Sequence, residues 1–172
     1  MSKLELVRGM YEYSEWANDV ILDACGPLDE NALRAKQTIS HDSIATLLVH
    51  ILGAQVFWLG RWKGEPFTGF PQVGEGPVVD TMRTSFATYH SEFRDYIDGV
   101  TDARLDEMIP LPEWTERTKG KSLILWQVMM QISEHGIHHR AEIQSALTGL
   151  GHPVQDLDYI LYAADRAARE QT

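Results

Sequence analysis

Residues 134–143 read EHGIHHRAEI, inside the longer stretch LILWQVMMQISEHGIHHRAEIQSALTGL that runs from 123 to 150. Apolar residues recur there every three or four positions, which predicts a long helix with one face in a core. Leu125, Val128, Met129, Ile132, Ile143, Ala146, Leu147 and Leu150 make the stripe. Three of the chain's seven histidines fall in this segment. His135 and His139 lie within the stripe, one turn apart, whereas His138 falls off its edge beside Gln131 and Glu142. Two imidazoles buried on one face lose their hydration twice unless both find partners. One metal ion satisfies both, and a spacing of four residues on a helix lets a single ion bridge them.

Outward from this helix the chain repeats the pattern. Leu4 to about Ala24 keeps Leu4, Val7, Tyr11, Ser14, Ala17 and Ile21 in register and ends at Gly26-Pro27. Ser43 to Lys63 follows His41-Asp42, with Asp42 as the expected N-cap, and stops at Gly64. Val79 to Val100 carries Met82, Phe86, Tyr89, Phe93 and Ile97. A shorter fifth piece is expected over Asp156 to Ala168. Residues 64–77, GEPFTGFPQVGEGP, read as loop, and Leu105 to Lys121 as a short hairpin or an irregular loop. The expected fold is all-α, a four-helix bundle in a single domain over residues 1–172. A helix of about 20 residues is about 30 Å long. The 64–77 linker can stretch to roughly 46 Å, so spacing alone leaves the bundle's topology open.

A third ligand is sought on the second long helix. There Ile44, Leu47, Ile51, Trp58 and Trp62 mark the buried arc, and His50 stands on its rim, facing inward or nearly so. His41 and His152 are expected in loops and His90 beside Tyr89, each as a solvated or capping residue. Arg140 points away from the pair and is expected to meet an acidic residue of another helix. Trp16, Phe57, Trp58 and Trp126 read as core rather than as walls of a substrate site.

Composition bounds the rest. Fifteen basic against twenty-five acidic residues leave a net charge of −10. There is no basic cluster of the kind that tracks phosphates, so neither nucleic acid nor an anionic membrane is an expected partner. The single cysteine, Cys25, cannot form an intramolecular disulfide and has no basic neighbours to activate it. MSKLELVRGMYEY at the start is not a signal peptide, and a cytoplasmic location is expected. The metalloprotease pattern fails because Gly136 stands where it needs Glu. The di-iron bundle pattern fails for want of paired Glu-x-x-His motifs.

Taken together, YEYSEWAND (11–19), SIATLLVHILGAQVFWLGRWKGE (43–65), HGIHHRAEI (135–143) and DLDYILYAAD (156–165) resemble the DinB-like (DinB/YfiT) family of small metal-binding helix bundles. The resemblance runs through nearly the whole chain. It implies an up-down-down-up bundle with a long crossover, a homodimer, and a divalent transition metal held by His50, His135 and His139. Relatives include thiol-dependent S-transferases and a mycothiol-dependent isomerase, others being assigned only as metal-dependent hydrolases. The implied activity is activation of a thiol or a water against a small electrophile; the alternative is a bundle that binds metal or small ligand without turnover. Zinc is the first choice of metal, with nickel or iron next, and a low-molecular-weight thiol is the implied second cofactor. Where the family often has Gly-Gln after His-Arg, this chain has Ala141-Glu142. Glu142 reads as a solvated charge on the helix flank that could also reach the site as a base behind the ligands or as an extra ligand.

Overall fold

The computed structural model describes residues 2–169. Helix α1 spans Lys3–Cys25 and opens on a capping box: the Ser2 hydroxyl accepts from the Glu5 N–H while the Glu5 carboxylate accepts from the Ser2 N–H. A short α2, Glu30–Arg34, follows behind the Asp29 cap. Helix α3 spans Ile44–Lys63, and its cap is Ser43, which accepts from the Thr46 N–H. Asp42, the expected cap, is instead in the left-handed region at φ 66°, so it belongs to the turn before the helix. Gly64, at φ 75°, closes α3 in the conformation that glycine adopts most cheaply.

Helix α4 spans Val78–Asp98, a turn's fraction shorter than its apolar pattern suggests, and α5 is the single turn Asp102–Leu105. The ambiguous segment that follows is a hairpin: β1, Met108–Pro110, pairs antiparallel with β2, Ser122–Ile124. Because β2 takes residues 122–124, helix α6 begins at Leu125 and runs to Gly149. The backbone N–H of His152 caps its end on the Leu147 carbonyl, with Gly151 at φ 84° making the turn. Helix α7, Tyr159–Arg169, starts three residues later than its composition suggests.

Named contacts fix the directions of the four long helices. The Tyr11 hydroxyl donates to the Met129 carbonyl, Ser14 bonds Ser133, and Arg140 donates to Asn18, so residue numbers climb together and α1 is parallel to α6. Arg8 donates to the Ile97 carbonyl, Tyr11 stacks on Phe93, Asn18 meets His90 and Arg83 pairs with Asp23, so α1 and α4 are antiparallel. Val49 and Met82 line one small cavity at the start of α3 and α4, and Trp62 lies beside Tyr96 at their ends, so these two are parallel. The order is up-down-down-up, and residues 64–77 run back along the bundle between two parallel helices. Gly53 lets that crossover lie close: a Cβ there would stand 3.4 Å from the Phe70 ring and from Pro71.

One apolar core joins all the long helices, including Val7, Ile21, Leu47, Ile51, Phe86, Leu125, Met129 and Ile143. Helix α3 sits deepest. It is the one described helix long and apolar enough to cross a membrane, and 67% of its apolar window is buried inside the bundle. Trp16 and Trp126 pack against the core partly buried. Cys25 is fully buried, and burial pushes its thiol up to about 12, consistent with a small packing residue.

Two sequence readings need correction in this core. His90 is not solvated but 4% exposed, packed between α4 and α1. Arg140 is 1% exposed and, among the described residues, meets no carboxylate; its Nη1 donates to the Asn18 Oδ1 at 3.0 Å and its guanidinium lies 5.6 Å from the Tyr13 ring centre. The Asn18 Nδ2 then donates toward the His90 Nε2 at 3.4 Å, which requires that nitrogen to be unprotonated. Burial is the main cause that lowers the His90 pKa to about 4; Glu15 opposes it, while Arg94 and Arg140 add to it. Gly136 has its reason here too. A Cβ at that position would come within 2.8 Å of the Arg140 Nη1.

Candidate metal centre and its cavity

Helices α3 and α6 cross with their histidines facing each other. The Nε2 atoms of His50 and His135 are 3.1 Å apart, and the His139 ring lies 4.4 Å from that of His135 and 4.7 Å from that of His50, nearly perpendicular to both. The three rings singled out in the sequence thus lie side by side, but the three-histidine group whose ligand nitrogens all lie within 4.8 Å of one another, among the described residues, is His41, His50 and His139, and His135 meets it through His50. Two ligand nitrogens about 2.0–2.1 Å from one ion, at angles between square and tetrahedral, stand about 2.8–3.4 Å apart. The His50–His135 separation falls in that range, so this pair of donors fits one transition metal.

His41 joins them, and periodicity gave no sign of it. Its ring stacks on His50 with centroids 3.8 Å apart and planes 23° apart. Nitrogens of His41, His50 and His139 all lie within 4.8 Å of one another, a group that could hold a metal ion. The loop that delivers His41 is unusual, since His41 and Asp42 both have positive φ, at 58° and 66°. Left-handed backbone costs roughly 1–2 kcal/mol per non-glycine residue. Hydrogen bonds hold it there: the Gln37 N–H donates to the Asp42 carbonyl at 2.6 Å, and the Ser43 N–H and the Thr46 hydroxyl both donate to the His41 carbonyl.

Glu142 lies behind His139. Its carboxylate accepts from the Ser40 N–H at 2.8 Å and from the Ser40 hydroxyl at 2.5 Å. It also stands 3.5 Å from the His139 Nδ1 and 3.2 Å from the His138 Nε2. A carboxylate on one ring nitrogen fixes the tautomer and turns the other nitrogen toward a metal. Burial works to raise the Glu142 pKa, but the two Ser40 hydrogen bonds and the neighbouring His139 and His138 outweigh it, and the net shift is downward. His138 itself is exposed, with 71% of its side chain accessible, as its place off the apolar stripe predicts.

Electrostatics favour the neutral, metal-ready state of the rings. Burial first, then the neighbouring His41 and His139, bring the His50 pKa down to about 4. Burial, followed by His139 and His50, does the same to His135. His139 is lowered by burial and held back by Glu142. Deprotonated imidazole is the form that binds metal, so near pH 7 little proton has to be displaced.

A cavity of about 580 Å³ opens onto His50 and His135. Phe57 and Trp58 of α3, Phe70 of the crossover and Trp114 of the hairpin loop form its walls. Phe57 and Trp58, expected as plain core, are thus both core and wall. Arg61 ties the hairpin to α3: it donates to the Pro110 carbonyl at 3.0 Å and lies over the Phe57 and Trp58 rings. On the Glu142 side, a wide polar groove runs past Lys36, Ser40, Asp42 and Ser145.

No curated protein matches the chain significantly. Among known families the match is to the DinB family, over residues 1–171. With a helical bundle, a small hairpin and a histidine cluster suited to metal, the chain belongs to the DinB family.

Proposed function

We propose that this protein is a metal-dependent enzyme in which His50, His135 and His139 hold a divalent transition metal and a small electrophile is attacked by a thiol or a water. The 3.1 Å approach of the His50 and His135 Nε2 atoms, at the end of an apolar cavity, carries the reading. When bound, such an ion would lower the pKa of a coordinated thiol or water, supplying thiolate or hydroxide near neutral pH. All-imidazole ligation suits zinc first, on availability, and nickel or iron after it.

The chain's own residues do the rest. Burial keeps the three rings neutral. Glu142, braced by Ser40, holds the Nδ1 side of His139, which makes it a positioning carboxylate rather than the proton acceptor. The aromatic walls give the electrophile an apolar seat, and the groove beside Ser40 and Glu142 leaves room for a hydrophilic second reactant. The reaction is S-transferase-like if that reactant is a thiol and hydrolase-like if it is water. A cytoplasmic homodimer is part of the proposal; Ile160 and Leu161, exposed on α7, offer an apolar face for pairing.

The second reading is a non-catalytic bundle that binds metal or a small ligand. It is favoured by one observation: Ser40, His138 and His139 already engage Glu142, the carboxylate beside the cluster, which leaves it poorly placed as a base. Cobalt substitution separates the two. Adding 2-mercaptoethanol to the cobalt protein should change its visible spectrum as sulfur enters the coordination sphere. Turnover of electrophiles should need both metal and thiol and rise with pH; thiol-independent ester hydrolysis would mark water as the nucleophile. No spectral response and no turnover would mark a passive binder.

A further inference from the structure

We infer that the cavity beside His50 and His135 binds an uncharged small molecule with an aromatic body, its polar group directed at the two histidines. Protein interiors close to native density, so a volume of about 580 Å³ kept open between α3, α6 and two loops is built to be filled. Its walls are aromatic, and they are costly to keep wet: Phe70 is 49% and Trp114 61% exposed, although both rings lie within 6 Å of the Phe57 ring. Large apolar groups left half-exposed around one opening mark a binding surface.

Charge narrows the class. Among the described residues no Lys, Arg, Asp or Glu lines the cavity, so a charged ligand would be desolvated there without a partner. The net charge of −10 adds to the cost for an anion. A cation would seek the aromatic faces, but the Arg61 guanidinium already lies 5.7 Å from the Phe57 ring centre and 5.9 Å from that of Trp58. Gln131, His50 and His135 gather polar groups at one end, and the other polar lining residue, Thr118, already spends its hydroxyl on the Thr115 carbonyl, which leaves one hydrogen-bonding end to a mostly apolar site.

That the bound molecule is the electrophile rests on the proposed function; that it binds does not. Three probes share one ring system: indole, uncharged and unsubstituted, indole-3-acetate, with an anionic side chain, and tryptamine, with a cationic one. Calorimetric titration of the protein as purified, with metal content measured on the same sample, should give indole at least a tenfold tighter dissociation constant than either charged analogue. Ala54→Phe, which fills the cavity from α3, should weaken indole at least tenfold; Leu123→Trp, on the hairpin side, should do the same and serves if the first variant fails to fold. Equal affinities for the three probes, no indole binding, or indole binding untouched in the folded variants would overturn the inference. Indole binding by protein that takes up no zinc or nickel even in excess would sink the proposed function alone, and metal without indole binding would sink this inference alone.

Discussion

The ring of His41 lies almost flat on that of His50, 3.8 Å away, although the two residues come from a loop and a helix and the loop must adopt two consecutive left-handed residues to deliver it. Backbone strain of this kind persists where surrounding bonds over-determine it, and it clusters at functional sites. His41→Ala should therefore weaken zinc binding about tenfold, the effect of losing a supporting contact, while His50→Ala should remove most of it. Competition against a chelating dye measures both. Equal affinity in His41→Ala and the parent protein would make His41 a bystander.

Glu142 offers a second test. Removing its carboxylate leaves the His139 Nδ1 with only the Ser40 hydroxyl, at 3.4 Å. Glu142→Ala should lower metal affinity about 10–100-fold with the fold intact by circular dichroism. If metal affinity holds and only a turnover rate falls, Glu142 acts on protons rather than on His139.

The buried Arg140 predicts a stability effect far from the metal. Its Nη1 donates to Asn18, the Tyr13 ring lies beside it, and among the described residues its Nε and Nη2 have no hydrogen-bond partner. Asn18→Ala should cost about 2–3 kcal/mol, since it strands a buried guanidinium. Urea denaturation reads the loss; a change below about 0.5 kcal/mol would mean that the guanidinium is satisfied in some other way.

His90 gives the molecule a pH dependence with a definite sign. Folding lowers its pKa from 6.5 to about 4, so the unfolded chain binds a proton that the folded one refuses. Its contribution is complete above pH 6.5 and is lost as the pH falls toward 4, with a slope of at most about 1.4 kcal/mol per pH unit. His90→Asn should reduce the slope between those limits by its own share, leaving the part that His50 and His135, lowered in the same way, contribute. A variant as steep as the parent would place the titration elsewhere.

Much of this was legible in the sequence, for physical reasons that also explain the misses. Helical period marks which face is buried, and it placed His50, His135 and His139 on facing helices and His138 outside. Period does not report depth, so His90 reads as solvated and Arg140 as the partner of an acidic residue, although both are buried between α1 and its neighbours. Nor does it describe loops: His41 reaches the cluster through positive φ at His41 and Asp42, which no apolar spacing encodes. The same turn moved the cap from Asp42 to Ser43, two residues whose side chains cap equally well. Single-turn helices such as α2 and α5 are too short to establish a period. The linker's reach left the topology open until pairs such as Asn18–His90 and Trp62–Tyr96 set the directions.

The central claim, that His50, His135 and His139 hold a metal, is met most directly by elemental analysis of protein purified without a metal-affinity column. The account predicts about one transition-metal ion per chain, lost when any one of the three is replaced by Ala and retained in His138→Ala. Parent protein that binds no ion even when zinc or nickel is supplied in excess, or metal that survives His135→Ala but leaves with His138→Ala, would contradict it.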